Sequence, residues 1–238
     1  MKILAFDSTA KSASVAVLDG ERVLAVYNVD NGLTQSELLL PMAEDMLRAL
    51  KLDFSDIGLF AASVGPGSFT GVRIGVSLVK GLAFGRGVPC SAVSTLEALA
   101  ENLSGLDGVV VSVMDARRDQ VYTALFDSSE SGIKRITQDA AISTAELADM
   151  LRAHEGRSIY LVGDGYEVAR TALLRLGVSA ECTPELLRLE NAASVGKVAY
   201  RHYLAGEVTD DLGIAPTYLR MPQAERERLE REAASTHS

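Results

Sequence analysis

Gly65-Pro66-Gly67-Ser68-Phe69-Thr70-Gly71-Val72-Arg73-Ile74-Gly75 stands between two apolar segments of different character. Before it, Ile57 to Val64 is a short apolar run bounded by turn residues, the pattern of a buried strand. After it, Val72 to Phe84 is apolar on nearly every side and long enough for a helix. A strand, a Gly-Pro-Gly corner and a helix start together aim backbone N–H groups at an anion in many folds. The same glycines also permit a sharp corner and close helix–sheet contact with no ligand, which is the commoner use of a lone glycine-rich loop. Two narrower readings fail on spacing. No Gly-Lys-Ser/Thr follows, so there is no P-loop, and Gly71 stands four places after Gly67, so Gly-x-Gly-x-x-Gly is absent.

Upstream, Lys2 to Asp7 reads as a short apolar strand ending in a carboxylate, and Ser8-Thr9-Ala10-Lys11-Ser12 turns into a second strand, Ala13 to Leu18. Asp19-Gly20 makes a tight hairpin into a third, Arg22 to Val29. Thr34 to Leu50 reads as a helix: Thr34 and Glu37 form a capping box, and apolar residues recur at 39, 42, 43, 46, 47 and 50. Pro41 falls past its first turn, so a kink is expected there. Downstream, Val88 to Val93 is a strand, and Ser94-Thr95-Leu96-Glu97 caps a short helix through Asn102.

Residues 1–104 therefore read β-β-β-α-β-α-β-α, and a less clear copy follows. Its strands fall at Gly108 to Met114, Gln120 to Phe126, Gly132 to Ile136 and Ser158 to Val162. Its helices fall at Ser143 to Ala153, Tyr166 to Leu176 and Ala192 to Leu204. The order implies an α/β protein of duplicated architecture. Two lobes are expected, 1–104 and 105–221, each a mixed sheet flanked by helices. Residues 222–238 alternate Glu and Arg around Leu229 and read as a charged tail, a solvated helix fraying into disorder.

The composition, 47% hydrophobic and 23% charged, is that of an ordinary globular chain. Tryptophan is absent and aromatics make up only 5%, which argues against a base-stacking surface. The net charge of −9 divides as −3 over residues 1–104 and −6 over 105–238. So acidic a chain lacks the cations that neutralise phosphates, and nucleic acid is expected only through a more basic partner. Cys90 and Cys182 form no Cys-x-x-Cys pair and read as reduced thiols. The N-terminus begins a strand without a basic leader, and no apolar run reaches membrane-spanning length. A soluble cytoplasmic protein with no membrane role is expected.

Candidate chemistry is sparse. Asp7, closing the first strand, sits where a phosphotransferase would hold a magnesium-positioning carboxylate, with Ser8 and Thr9 in the phosphate turn and Gly65 and Gly67 opposite. The turn itself carries no glycine, which hinders backbone approach to a triphosphate. An Asp at that place also hydrogen-bonds its own backbone in ordinary turns. Asp115-Ala116-Arg117-Arg118 joins two strands and suits either a phosphate clamp or an ion-pair cluster. Gly163-Asp164-Gly165 is either a second phosphate turn or a plain strand–helix corner. His154, His202 and His237 share no helical face, and no serine or cysteine has a nucleophile's local context.

The helices beside the signature loop are over-apolar. Leu38, Leu39 and Leu40 follow one another on the first, and the second carries only Arg73 and Lys80 as charges, with Gly71, Gly75 and Ser77 leaving shallow grooves. Helices apolar all round must be covered. A protein–protein interface is expected from Leu38, Leu39, Met42 and Met46 on one helix and Gly71, Val72, Gly75, Val76 and Val79 on the other. Cover by the second lobe is the alternative.

Five ordered motifs resemble the TsaB (YeaZ) family. They are Ile3 to Thr9 with Ser36-Glu37-Leu38-Leu39-Leu40-Pro41, Val64 to Gly75, Val93 to Glu97, Asp115 to Arg118, and Pro216 to Arg220. Within them Pro66, Ser68, Phe69, Thr70, Arg73, Asp115, Arg117 and Arg118 stand as signature positions. The resemblance implies a duplicated actin-like (ASKHA, ribonuclease-H-like) fold and a non-catalytic scaffold that holds TsaD, the catalytic subunit. With a TsaE ATPase, that complex adds threonylcarbamoyl to the adenosine beside the anticodon of ANN-decoding tRNAs. It further implies no cofactor or metal on this chain, both belonging to the partners, tRNA contact only through the complex, and a homodimer when alone. Two departures stand out: Gln35 replaces a frequent His, and Gln120 the usual Glu, removing a partner for Arg117 or Arg118. An active ATP-dependent phosphotransferase of the same fold class is the alternative function.

Overall fold

The computed structural model describes residues 1–117 and 119–220. Arg118 and the charged tail fall outside the described residues. The first half supplies β1 (Lys2–Asp7), β2 (Ala13–Asp19), β3 (Arg22–Val29), α1 (Gln35–Leu50), β4 (Ile57–Ser63), α2 (Phe69–Ala83), β5 (Cys90–Val93) and α3 (Thr95–Glu101). The second supplies β6 (Gly108–Asp115), β7 (Gln120–Ser129), β8 (Gly132–Arg135), β9 (Ala140–Ser143), α4 (Thr144–Arg152), β10 (Ile159–Val162), α5 (Tyr166–Arg175) and α6 (Ala192–Ala205).

Two sheets result. In the first, the order β3-β2-β1-β4-β5 joins an antiparallel meander to two parallel strands. The second, β8-β7-β6-β10, repeats the first four positions, again with a meander followed by a parallel strand, while β9 pairs with β7. The duplication predicted from element order is thus a duplication of topology.

Alternation along β1 assigns its two faces. Leu4 and Phe6 point at α1 and α2, packing with Leu39, Met46, Val72, Val76 and Val79. Ile3 and Ala5 point the other way and pack with Val195, Val198 and Ala199 of α6. Both faces are covered, which is why β1 reads as an unbroken apolar run. The second sheet is covered by α4 and α5 on one face, through Leu147, Leu151 and Leu173, and on the other by α3 and the turn after it, through Leu96, Leu99 and Leu103. A helix from the second half therefore caps the first sheet, and a helix from the first half caps the second.

Local signals account for most boundaries. Thr34 and Glu37 form the expected capping box, and α1 runs without interruption through Pro41, which is exposed. The carbonyl deprived of its partner there can face water. α2 starts three residues earlier than predicted, because the exposed Ser68 is its N-cap and accepts from the Gly71 N–H at 3.2 Å. β9 was not anticipated: Ala-Ala-Ile-Ser has no alternation and becomes a strand only by pairing with β7.

The predicted interface residues need correction. Leu39, Met42, Met46, Val72, Val76 and Val79 are at most 8% exposed, Gly71 and Gly75 are buried, and Leu38 is partly buried against the same core. Their cover is the first sheet of their own lobe. Neither the second lobe nor a partner is needed to bury them.

Gly71 and Gly75 are instead contacts within the lobe. A Cβ on Gly71 would lie 1.8 Å from the Ser8 carbonyl oxygen, whereas one on Gly81, in the same helix, would meet nothing within 4 Å. Opposite signs follow for one substitution. Gly71→Ala should cost about 3 kcal/mol by overpacking, lowering Tm by roughly 6–12 °C. Gly81→Ala should stabilise by up to about 1 kcal/mol through helix propensity. Thermal unfolding of the two variants, read side by side, checks both values.

Candidate functional site

At the head of the first sheet, the turn after β1 meets the loop after β4. Asp7 is buried, and both of its carboxylate oxygens accept hydrogen bonds inside the protein. The Thr9 N–H and hydroxyl donate to Oδ1 at 2.9 and 2.8 Å, and the Ser63 hydroxyl donates to Oδ2. Burial outweighs these bonds and holds the carboxyl above its usual range. The Ser8 hydroxyl donates to the Gly71 carbonyl at 2.8 Å, and the Ser68 N–H donates to the Thr9 carbonyl at 2.7 Å.

The glycines make this approach possible. Gly67 has φ +157, and a Cβ there would lie 2.6 Å from the Thr9 carbonyl oxygen. Gly65 has φ +114, and its Cβ would lie 2.5 Å from the Thr217 oxygen, while the Thr95 N–H donates to its carbonyl at 3.0 Å. The peptide bond between Gly65 and Pro66 is cis. The two turns that would face each other across a phosphate are bonded to each other. Asp7 takes the self-hydrogen-bonded reading, and the glycines serve close backbone contact.

Beyond the interlock a cleft of about 570 Å³ opens between the lobes. Its walls include Lys11, Gln35, Phe69, Asp115, Arg117 and Asp164. Gln35 donates from Nε2 to the Ala10 carbonyl at 2.9 Å. Arg117 has φ +64, pairs with Asp115 at 3.1 Å and has a side chain 84% exposed, so it is a solvated ion pair. Asp164 is exposed at the cleft wall, where loss of part of its water, with the Asp115 charge adding, raises its carboxyl above the usual range against a 3.2 Å bond from the Asp115 N–H. Gly163 and Gly165 pack on the end of β6, the plain strand–helix corner. Gln120 bonds Arg220 through Oε1. Among the described residues no three His, Cys, Asp or Glu side chains are grouped to hold a metal ion.

Phe69 and Arg73 build the ridge at the cleft's edge. The Arg73 guanidinium lies 3.7 Å above the Phe69 ring and donates from Nε to the Tyr218 hydroxyl at 2.8 Å, and Tyr218 stacks on Phe69 at 4.7 Å. Two separate signature motifs thus meet in one stack, a pairing that spacing along the chain does not reveal.

On the far side of Arg73 lies a groove of about 560 Å³ between α1 and α2. Buried Leu39 forms part of its floor; Leu40, Ile74 and Leu78 give it apolar walls, and Ser36, Thr70 and Arg73 a polar rim. Leu40 and Ser77 are exposed, Ile74 and Leu78 half-buried. The open stripe on the two helices is therefore offset by one residue, or one turn, from the predicted list. The leucine triplet concealed the difference, since all three look alike in sequence while only Leu40 faces out. Among the described residues no helix is long and apolar enough to cross a membrane.

Comparison with known proteins agrees with this geometry. A family model described as TsaD, tRNA N6-adenosine threonylcarbamoyltransferase, matches residues 34–228. The tRNA threonylcarbamoyladenosine biosynthesis protein TsaB of Bacillus subtilis is 31% identical, over 97% of this chain and 99% of its own length. The Escherichia coli protein of the same name is 32% identical over 70% of this chain and 73% of its own. The structure of YeaZ from Pseudomonas aeruginosa superposes with a TM-score of 0.75 at 26% identity, covering 92% of this chain and 99% of that one. The repeated sheet is the YeaZ fold, and with such identity over nearly its whole length the chain belongs to the TsaB (YeaZ) family.

Proposed function

We propose that this protein is a non-catalytic scaffold in the synthesis of threonylcarbamoyladenosine on tRNA, and that it works by binding and stabilising a TsaD-like catalytic subunit. The observation that carries the reading is the open apolar groove between α1 and α2, whose inner faces are already buried while Leu40, Ile74 and Leu78 are not fully covered. Names of relatives as biosynthesis proteins and the TsaD family model support the pathway. In this reading metal and nucleotide belong to the TsaD-like subunit and a TsaE-like ATPase, tRNA meets the chain only through that complex, and the free chain pairs with itself through the same groove in the cytoplasm.

Interface and core separate by substitution. Leu39→Glu or Val76→Glu would bury a carboxylate, so either change should unfold the chain rather than report on binding. Leu40→Glu is expected to weaken binding of the TsaD-like subunit at least about 30-fold while changing stability by no more than about 0.5 kcal/mol. Titration calorimetry against the partner, with thermal unfolding of the free chain, checks both; full-strength binding by the variant overturns the groove as the interface.

The competing function, an ATP-dependent phosphotransferase, needs the cleft to take magnesium-nucleotide. Asp7 is bonded to Thr9 and Ser63, and Ser68 to Thr9, so groups that a triphosphate site would use are already engaged within the protein. Calorimetry of the isolated chain with magnesium-ATP at about millimolar concentration is expected to register no binding heat; a saturable heat lost in Asp7→Ala favours the phosphotransferase.

A further inference from the structure

Between the end of α5 and the start of α6 the chain crosses from the second sheet to the first, and one side chain in that crossing is out of keeping with its surroundings. Glu190 is 5% exposed, and neither carboxyl oxygen meets a hydrogen-bond partner among the described residues. The backbone on either side of it is tightly held. The Arg188 carbonyl accepts from the Gly163 N–H at 2.6 Å, next to Asp164 of the second lobe. The Ala192 N–H donates to the Ser14 hydroxyl at 2.8 Å, and Ser14 is the register partner of Asp7 in the first lobe. Asn102 of α3 secures the crossing from a third side, donating to the Leu187 and Leu189 carbonyls at 3.0 and 2.8 Å.

Glu190 is therefore pinned in the wall between the two lobes, with a carboxyl-bearing residue anchored on either side. The charges of Asp7 on β1 and of Asp164, at the corner after β10, both act on it, and Asp164 is itself bonded to the Asp115 N–H at the end of β6. The cations nearby are committed elsewhere. Arg188 bonds the Thr183 carbonyl and Glu167 and lies over the Tyr166 ring, Lys197 and Arg201 pair with Glu101, and Arg117 pairs with Asp115. Lys11 lies in the cleft wall on the Asp164 side. Glu190 forms none of the chain's ion pairs among the described residues.

We propose that Glu190 is a proton-dependent clasp between the lobes: its neutral acid lets the crossing segment stay seated near the Asp7 and Asp164 charges, and loss of that proton loosens the bonds that tie the segment to the two lobes. A buried carboxylate helped only by its own backbone N–H, and with two carboxyl neighbours, is far less stable than the acid. Burial, with Asp7 and Asp164 adding, accordingly raises this carboxyl well above its ordinary value of 4.5. The direction of the pH dependence follows. Below that ordinary value the side chain is protonated whether clasped or released, and the clasp is at full strength. As pH rises toward the clasped value, the released form gives up a proton the clasped form keeps, so release gains up to about tenfold per pH unit. Above the clasped value both forms are ionised and the dependence ends.

Amide hydrogen exchange of the full chain tests this at Gly163 and Ala192, the two N–H groups that tie the crossing to its lobes. After correction for intrinsic exchange, the opening constant at these amides should rise at least about tenfold between roughly pH 4.5 and 7.5 in the natural protein and stay nearly flat in Glu190→Gln. Equal pH dependence in the two proteins, or none in either, overturns the proposal. A second measurement stands should Glu190→Gln fail to fold. In the natural protein labelled with carbon-13 at the glutamate carboxyls, Glu190 should titrate well above 4.5, and an ordinary midpoint would equally overturn the proposal.

Discussion

The structure depends on a close approach of two backbone turns. The Ser8-Thr9 turn closes on Gly65 to Gly71 so tightly that the Thr9 carbonyl takes the Ser68 N–H and the Ser8 carbonyl occupies the volume of any side chain at Gly71. Buried polar backbone must be paired, and here the two turns pair with each other. That bonding fixes where α2 leaves the sheet, so it also fixes which faces of α1 and α2 are buried and which are left open. It also forms one border of the cleft that Lys11, Phe69 and Asp164 line. One contact thus links a glycine-rich signature, a cleft and an available helix groove.

The lobes are joined in the same manner, by elements that cross. α6 covers the first sheet and α3 the second, so neither half of the chain buries its own sheet completely. Polar groups collect where these crossings meet. Asn102 ties α3 to the crossing before α6 and accepts from Ser194, while Arg135 on β8 binds Glu97 on α3. Such contacts fix relative position more than they add stability, since each replaces bonds to water. The carboxyl of Glu190 has no such partner, and the Thr183 hydroxyl in the same crossing shares that lack.

Much of the site was legible before folding was considered. Capping boxes, turn dipeptides and apolar periodicity delimited most elements, because those signals act within a few residues. The double reading of Asp7 narrowed to one only when Ser63, from a different strand, supplied its second partner. The predicted interface went wrong for an equally physical reason. Periodicity says that a helix has an apolar face, but Leu38, Leu39 and Leu40 in succession leave its direction undetermined, and the sheet takes Leu39 while Leu40 remains outside. The stack of Phe69, Arg73 and Tyr218 joins positions more than a hundred residues apart and leaves no trace in local pattern.

The amino-acid order by itself determined the class of architecture, its repetition, and the places where the backbone must bend sharply, since propensity, alternation and glycine's freedom are properties of short stretches. Tertiary structure alone decided which apolar residues are core and which are surface, that the glycine loop is filled by its neighbouring turn, and that an acid lies unpaired between the lobes. Those outcomes depend on what a distant segment brings to within a few ångströms, and neither burial nor the pairing of a charge is defined until that segment has arrived.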